Sequence, residues 1–192
     1  ERGGAIIEGF DFGNSPSAVE NLDFTGKTVV HTTSAGTQGI ANASGADEIL
    51  GGSLATAKAI ACYIKKKAPD HVSLVCMGLA GETETDEDTL CAEYIKSLLE
   101  DAPIDLSDRI EGLKTTRGRK FFDPAQQSVF PESDFHLCTA VDKFDFVLHV
   151  EQGAAVQFAQ QRSQCAFSAG TAAFHGQSDG PLLQLTVQFG QQ

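Results

Sequence analysis

Short apolar runs alternate with amphipathic stretches over residues 1–150, the pattern of strands and helices that follow one another in an α/β domain. Lys27 to Thr33 (KTVVHTT) is a β-branched run that predicts a strand, and a Ser/Thr/Gly loop then leads into a helix. Ala46 to Leu50 is a weaker strand. Behind Ser53, a candidate N-cap, Leu54, Ala57, Ile60, Ala61 and Ile64 recur at helical spacing, and Lys65, Lys66 and Lys67 fill a last turn that favours cations. His71 to Met77 (HVSLVCM) is almost wholly apolar, which predicts a central strand buried on both faces. The best-defined helix comes next. Thr85 is its candidate cap, Asp88 stands at its third position, and Leu90, Cys91, Tyr94, Ile95 and Leu98 form one apolar face. Ser107 to about Leu113 predicts a short helix, Pro124 and Pro131 break the region after it, and Phe144 to Val150 (FDFVLHV) predicts a closing strand. No internal repeat is evident.

From Gln152 onward the pattern fades until Leu182 to Phe189 (LLQLTVQF), which reads as an isolated strand. Composition changes at the same place. Residues 151–192 hold only Glu151, Arg162 and Asp179 as charged side chains, against ten Gln, whereas residues 1–150 hold three Gln and the other 37 charges. The domain expected is therefore 1–150, followed by a Gln/Ala-rich tail, 151–192. A flexible native tail, a domain arm and translation in an alternative frame all fit that tail, and the abrupt loss of charge favours the last.

The whole chain of 192 residues and 20.3 kDa has the size of one domain, and 41% hydrophobic with 21% charged residues excludes disordered and fibrous classes. Its formal charge of -12 opposes general attraction to nucleic acid or to an anionic membrane surface. An anionic ligand then needs local compensation, by a metal or a small cationic pocket. Cys62, Cys76, Cys91, Cys138 and Cys165 are odd in number, widely spaced and without a Cys-x-x-Cys pair, the usage of buried free thiols in a cytoplasmic protein. No run approaches the ~18 to 20 apolar residues of a membrane helix, and Glu1-Arg2 does not open a signal peptide.

Several segments carry candidate chemistry. Gly9 to Pro16 (GFDFGNSP) sets Asp11 between aromatic residues and then turns. Asn14 or Ser15 suits the cap of a helix starting at Pro16; equally, Asp11 suits a base or metal ligand, with Asn14, Ser15 and backbone amides holding an anion. Thr32 to Thr37 leaves a strand and enters a helix, so its hydroxyls and amides suit a phosphate cradle, although the Walker ending is missing. His31 suits a core or edge histidine better than a catalyst. Glu82, Glu84, Asp86, Glu87 and Asp88 follow the apolar strand; acids there favour a helix N-terminus, and the carboxyl ends of strands are also where α/β sheets bind ligands. The loops 34–37 and 78–87 are thus expected to converge, with room for Mg²⁺, which takes one or two protein carboxylates. Arg117-Gly118-Arg119-Lys120 reads as an exposed turn or a phosphate clamp, and Arg2 beside Gly3-Gly4 has the same two readings.

ERGG, GFDFGNSP, HTTSAGTQGI, CMGLAGETETDEDTLCAEYI and HLCTAVDKFDFV, in this order and spacing, resemble the 2-phosphosulfolactate phosphatase (ComB) family from Glu1 to about Val150. The resemblance implies a layered α/β/α phosphatase fold, here incomplete at its N-terminus, because the family's strand and Asp-x-Leu-Arg-Ala-type motif stand ahead of ERGG. It implies Mg²⁺-dependent hydrolysis of 2-phospho-3-sulfolactate, or a related phosphorylated 2-hydroxy acid, on the route to coenzyme M. On the matching positions, Asp11 and Glu87 become the catalytic candidates, and Glu82 and Asp88 the metal ligands. Arg2, Asn14, Ser15, Thr33, Ser34, Gly36 and Thr37 become the groups that bind substrate, and Arg119 of the basic run, outside the matching motifs, is a further candidate for that role. The expected partner is that small anionic ester, with a second copy of the chain also admitted. A non-catalytic module that binds phosphorylated or sulfonated metabolites, and a defective fragment, are the rival readings.

Overall fold

A computed structural model describes residues 6–33, 35–43, 45–151, 157–162 and 182–187. Five helices and five strands are assigned among them: α1 (Gly36–Asn42), β1 (Glu48–Gly52), α2 (Ala57–Lys67), β2 (His71–Cys76), α3 (Asp86–Leu99), α4 (Ser107–Leu113), α5 (Glu132–Cys138), β3 (Phe146–Glu151), β4 (Gln157–Arg162) and β5 (Leu182–Val187). The strands form one mixed sheet in the order β2-β5-β1-β3-β4, so the fold is mixed α/β. β5 runs parallel to both neighbours, with Leu185 between Leu50 and Leu74, and β3 runs antiparallel to β1 with His149 opposite Leu50.

Neighbouring residues of one strand point to opposite faces of a sheet, and β1 divides the core in that way. Leu50 joins Ile60 and Ile64 of α2 and Leu90 and Ile95 of α3 in the main cluster. Ile49 joins Ile40 and Ala43 of the α1 region, with Val150 of β3, in a smaller cluster. Helices therefore cover both faces. The main cluster continues through Leu106 and Leu113 to Phe121, Phe130 and Phe135, whose rings pack edge-on and tilted.

Several expectations are corrected here. Lys27 to Thr33 forms no strand; Val29 and Val30 are exposed, and β1, the strand that follows it across α1, already carries β5 and β3 on its two edges. β2 is half-buried along its length rather than buried on both faces, because it stands at the edge of the sheet with β5 on one side only. Leu182–Val187 is a strand, yet not an isolated one, since it fills the place between β2 and β1.

Two caps also differ from the pattern. Ser53 precedes a 3-10 turn, Leu54–Thr56, and the amide of Lys58 in the first turn of α2 donates instead to Asp142 Oδ1 at 2.8 Å. Asp142 Oδ2 accepts the Tyr94 hydroxyl at 2.8 Å, so one carboxylate ties α2 to α3. Thr85 does precede α3, without a side-chain cap bond. Among the cysteines, Cys76, Cys91 and Cys138 form no disulfide, whereas Cys62 is disulfide-bonded; spacing in the chain carries no information on which thiols meet in space. No helix of the described residues is long and apolar enough to cross a membrane.

Candidate active site

The exit of β2 is a tight turn. Gly78 adopts φ +59°, and a Cβ there would fall 2.1 Å from the Thr83 carbonyl oxygen, so glycine is the residue that fits. The Leu79 amide donates to that same carbonyl at 2.8 Å. Asp88, 2% exposed, reaches back from α3, and its Oδ2 accepts the Gly78 amide at 2.7 Å. The buried carboxylate thus fixes the turn instead of standing open to a ligand. Burial, with Asp88 and Glu84 beside it, pushes the thiol of Cys76 up at the end of β2.

One residue earlier on α3, Glu87 has a different setting, since consecutive helical side chains diverge by about 100°. Its Oε2 is buried and has no hydrogen-bond partner among the described residues. Burial raises its pKa above 4.5, opposed by its own backbone hydrogen bond and by Arg117, whose Nε lies 3.9 Å from Glu87 Oε1. Arg117 begins the 3-10 segment Arg117–Phe122. That segment is locked by Gly118, where a Cβ would lie 2.7 Å from both the Leu113 carbonyl oxygen and the Phe135 ring. Arg119, two residues on, is exposed and acts electrostatically on Asp123.

The first two motifs meet each other. His31 Nε2 lies 3.0 Å from Asn14 Oδ1, and crowding by the protein disfavours the charged imidazole, pulling its pKa below 6.5. With the amide oxygen as acceptor, the neutral ring donates from Nε2. Asn14, Ser15, His31 and Thr33 line a hollow of about 460 Å³. Asp11 lines an adjoining cleft of about 670 Å³ with Phe10, Phe12, Phe24 and Lys27. Ser15 leads into the 3-10 turn Pro16–Ala18, and the Ser17 amide donates to the fully buried Asp134 of α5 at 2.9 Å. Asp134 therefore anchors the first motif to the body of the domain.

Thr33 and Thr37 bond each other. The Thr37 amide donates to Thr33 Oγ1 at 3.2 Å, the Thr37 hydroxyl donates to the Thr33 carbonyl at 2.7 Å, and the Thr33 amide donates to Thr37 Oγ1 at 3.4 Å. The loop closes on itself ahead of α1, and Gly36 is buried as the helix begins. Gly39 packs so tightly on Met77 that a Cβ would overlap its sulfur. α1, which begins in this loop, thus packs beside Met77 at the end of β2. Arg2 and Ser34 lie outside the described residues.

Among the described residues no group of three or more His, Cys, Asp and Glu side chains is arranged to hold a metal. Mg²⁺ ordinarily uses only one or two protein carboxylates. Glu87, with a shielded and unpartnered oxygen, has the donor chemistry for that role, and Glu82 is an exposed carboxylate in the neighbouring turn. Asp88 is engaged by Gly78. Sequence reasoning did not single out Asp134 or the pairing of Arg117 with Glu87. Neither leaves a local signal, since the partners stand 117 and 30 positions apart.

A family model described as 2-phosphosulpholactate phosphatase matches residues 1–153. Similar proteins, each described as a probable 2-phosphosulfolactate phosphatase, occur in Caldanaerobacter subterraneus (33% identical over 165 residues, 80% of this chain and 68% of that one) and Bacillus subtilis (31% over 158 residues, 81% and 68%). The protein of Caldicellulosiruptor saccharolyticus is 46% identical over 102 residues, 51% of this chain and 42% of its own length. No solved structure matches.

Proposed function

Because this chain belongs to the 2-phosphosulfolactate phosphatase family, a family of hydrolases, we propose that it hydrolyses the phosphate monoester of a small anionic 2-hydroxy acid. The substrate proposed is 2-phospho-3-sulfolactate, which gives sulfolactate and inorganic phosphate. The observation that carries the reading is Glu87, a carboxylate with a buried oxygen that has no partner among the described residues, in the first turn of the helix that follows β2, and α/β folds place ligands in the loops that leave their strands. Buried polar atoms are normally paired, and those that are not tend to mark sites completed by a ligand or ion.

Mg²⁺ is the proposed cofactor, with Glu87 and Glu82 as its protein ligands; when bound it would polarise the phosphoryl group and offset charge on an acidic protein. The remaining steps belong to the chain's own groups. Asp88 keeps the turn after β2 rigid, so that the two glutamates stay in register. Asn14 and the Thr33 to Thr37 loop bind phosphoryl oxygens, and the neutral His31 holds the Asn14 side chain in place. Asp11 orients and deprotonates the attacking water. The layered α/β/α arrangement of the family is the scaffold proposed for this constellation.

Phosphate release from 2-phospho-3-sulfolactate, measured with MgCl₂ and with EDTA, tests the reading. Turnover with Mg²⁺ that disappears in EDTA, and in Asp11→Asn with substrate binding retained, is the result expected. Zero turnover with measurable binding of the ester would replace the phosphatase with a metabolite-binding module. Trapping a phosphoenzyme would overturn direct attack by water.

A further inference from the structure

We propose that Arg117 binds an anionic group of the substrate other than the phosphate, and so sets the preference of this site for an ester that carries a carboxylate or a sulfonate beside its phosphate. The inference rests on the phosphatase reading for the nature of the ligand, and on geometry for the residue. Arg117 Nε stands 3.9 Å from Glu87 Oε1, a distance of Coulombic contact rather than of a hydrogen bond. Its two terminal nitrogens have no partner among the described residues, and 39% of its side chain faces solvent. The guanidinium therefore stands beside Glu87, and its fork is open to a further oxyanion.

The position is built rather than incidental. Gly118 admits no Cβ against Leu113 and Phe135, and Phe121 of the same turn packs on Phe130, so the backbone that carries Arg117 is fixed by the main core. Arg119 acts electrostatically on Asp123 instead. Charge demands such a group as well. Residues 82–88 carry five carboxylates, and an ester with a second anionic group is repelled there unless a cation receives it. A planar fork suits a carboxylate or a sulfonate, the two groups that accompany the phosphate on this class of substrate. The exposed guanidinium suits recognition of the distal group, while Glu87 Oε2 is shielded from solvent.

The test compares the wild-type protein with Arg117→Met, Arg117→Lys and Arg119→Met. It uses steady-state hydrolysis of 2-phospho-3-sulfolactate and of 2-phospholactate, and calorimetric binding of sulfolactate. Arg117→Met is expected to raise KM about 10- to 100-fold with kcat nearly unchanged, the size of a lost charge-assisted hydrogen bond, and to weaken sulfolactate to the same degree. Lysine restores part of the loss, and Arg119→Met does less than Arg117→Met. A rise confined to the sulfonated ester identifies the sulfonate as the partner, and an equal rise for both esters identifies the carboxylate. The proposal is overturned if Arg117→Met leaves KM and sulfolactate affinity within about twofold of wild type, or lowers kcat alone. If Arg117→Met fails to melt cooperatively, Arg117→Gln, which also removes the charge, decides by the same criteria. A wild-type chain that hydrolyses neither ester yet binds sulfolactate through Arg117 rejects the phosphatase and keeps the anion site; one that binds no sulfolactate rejects the anion site.

Discussion

Helices α2 and α3 and the segment 6–33 both carry large apolar side chains, and the two regions use them in opposite ways. In the helices Ile60, Ile64, Leu90 and Ile95 are at most 2% exposed, whereas Ile6, Phe10, Phe12, Leu22, Val29 and Val30 lie between 40% and 79% exposed. The helices repeat their apolar residues every three or four positions, so one face meets one partner and the opposite face stays wet. Val29 and Val30 have strand character without a ladder, and apolar content alone gives such a segment nothing to bury against. Its fixed points are polar instead: Asn14 on His31, and Ser17 on Asp134. Stability is thus concentrated in the helices and sheet, and candidate chemistry in the loops that they hold.

The widest separation between the regions should come from truncating one apolar residue in each. Ile60→Ala is expected to lower unfolding stability by about 2 to 5 kcal/mol, the usual range for a fully buried isoleucine. Val30→Ser should stay within about 0.5 kcal/mol. Denaturant midpoints at constant m-value measure both, and equal losses would erase the distinction.

Asp134 joins the regions, so its effect should be the next in size. Asp134→Ala removes a fully buried carboxylate that accepts the Ser17 amide, and should lower stability by about 1.5 to 3 kcal/mol. Hydrogen exchange should rise around Ser17 more than in α2. A variant that melts like wild type and exchanges evenly would show that the first motif is not anchored there.

Alkaline titration examines the helical side alone. The chain has two tyrosines. Burial pushes Tyr94 up to about 12, aided by its bond to Asp142, and burial also raises Tyr63, which bonds Glu48. The fold favours the neutral phenols, so their contribution is complete below pH ~10, where the unfolded chain titrates, and is lost as pH rises through the folded values. Native protein at pH ~11 should show almost no tyrosinate absorbance, while protein in urea shows nearly all of it. Tyrosinate appearing near pH 10 in the native state would contradict the packing of both rings.

The same division governs what the sequence made legible. β1, α2, β2, α3, α4 and β3 were within reach of periodicity, because each carries a local pattern of its element type, although the wholly apolar run of β2 overstates its burial. The place of β5 between β2 and β1 was not, since pairing across more than a hundred residues leaves no mark on either strand. At the site, Glu87 and Asp88 look alike as neighbouring acids. One helical step sends Asp88 to the Gly78 amide and leaves Glu87 Oε2 unpartnered. Arg117 and Arg119 look equally basic, and only the folded chain sets Arg117 beside Glu87 and Arg119 in reach of Asp123. Residue types were therefore readable, and their division of labour was not.

The smallest effect on stability should fall on the pair that joins the first two motifs, and that is what makes it informative. Asn14→Ala removes an exposed hydrogen bond to His31, which contributes no more than about 1 kcal/mol. The melting temperature should hardly move. In the proposed phosphatase the same change removes a group that positions phosphoryl oxygens, so the specificity constant for the ester should fall about tenfold or more. Asn14→Asp separates the two roles, because its oxygen still accepts the His31 proton while its charge repels the phosphate. Retained melting with lost turnover in both variants would assign Asn14 to the ligand; full turnover in Asn14→Asp would confine it to holding the loop.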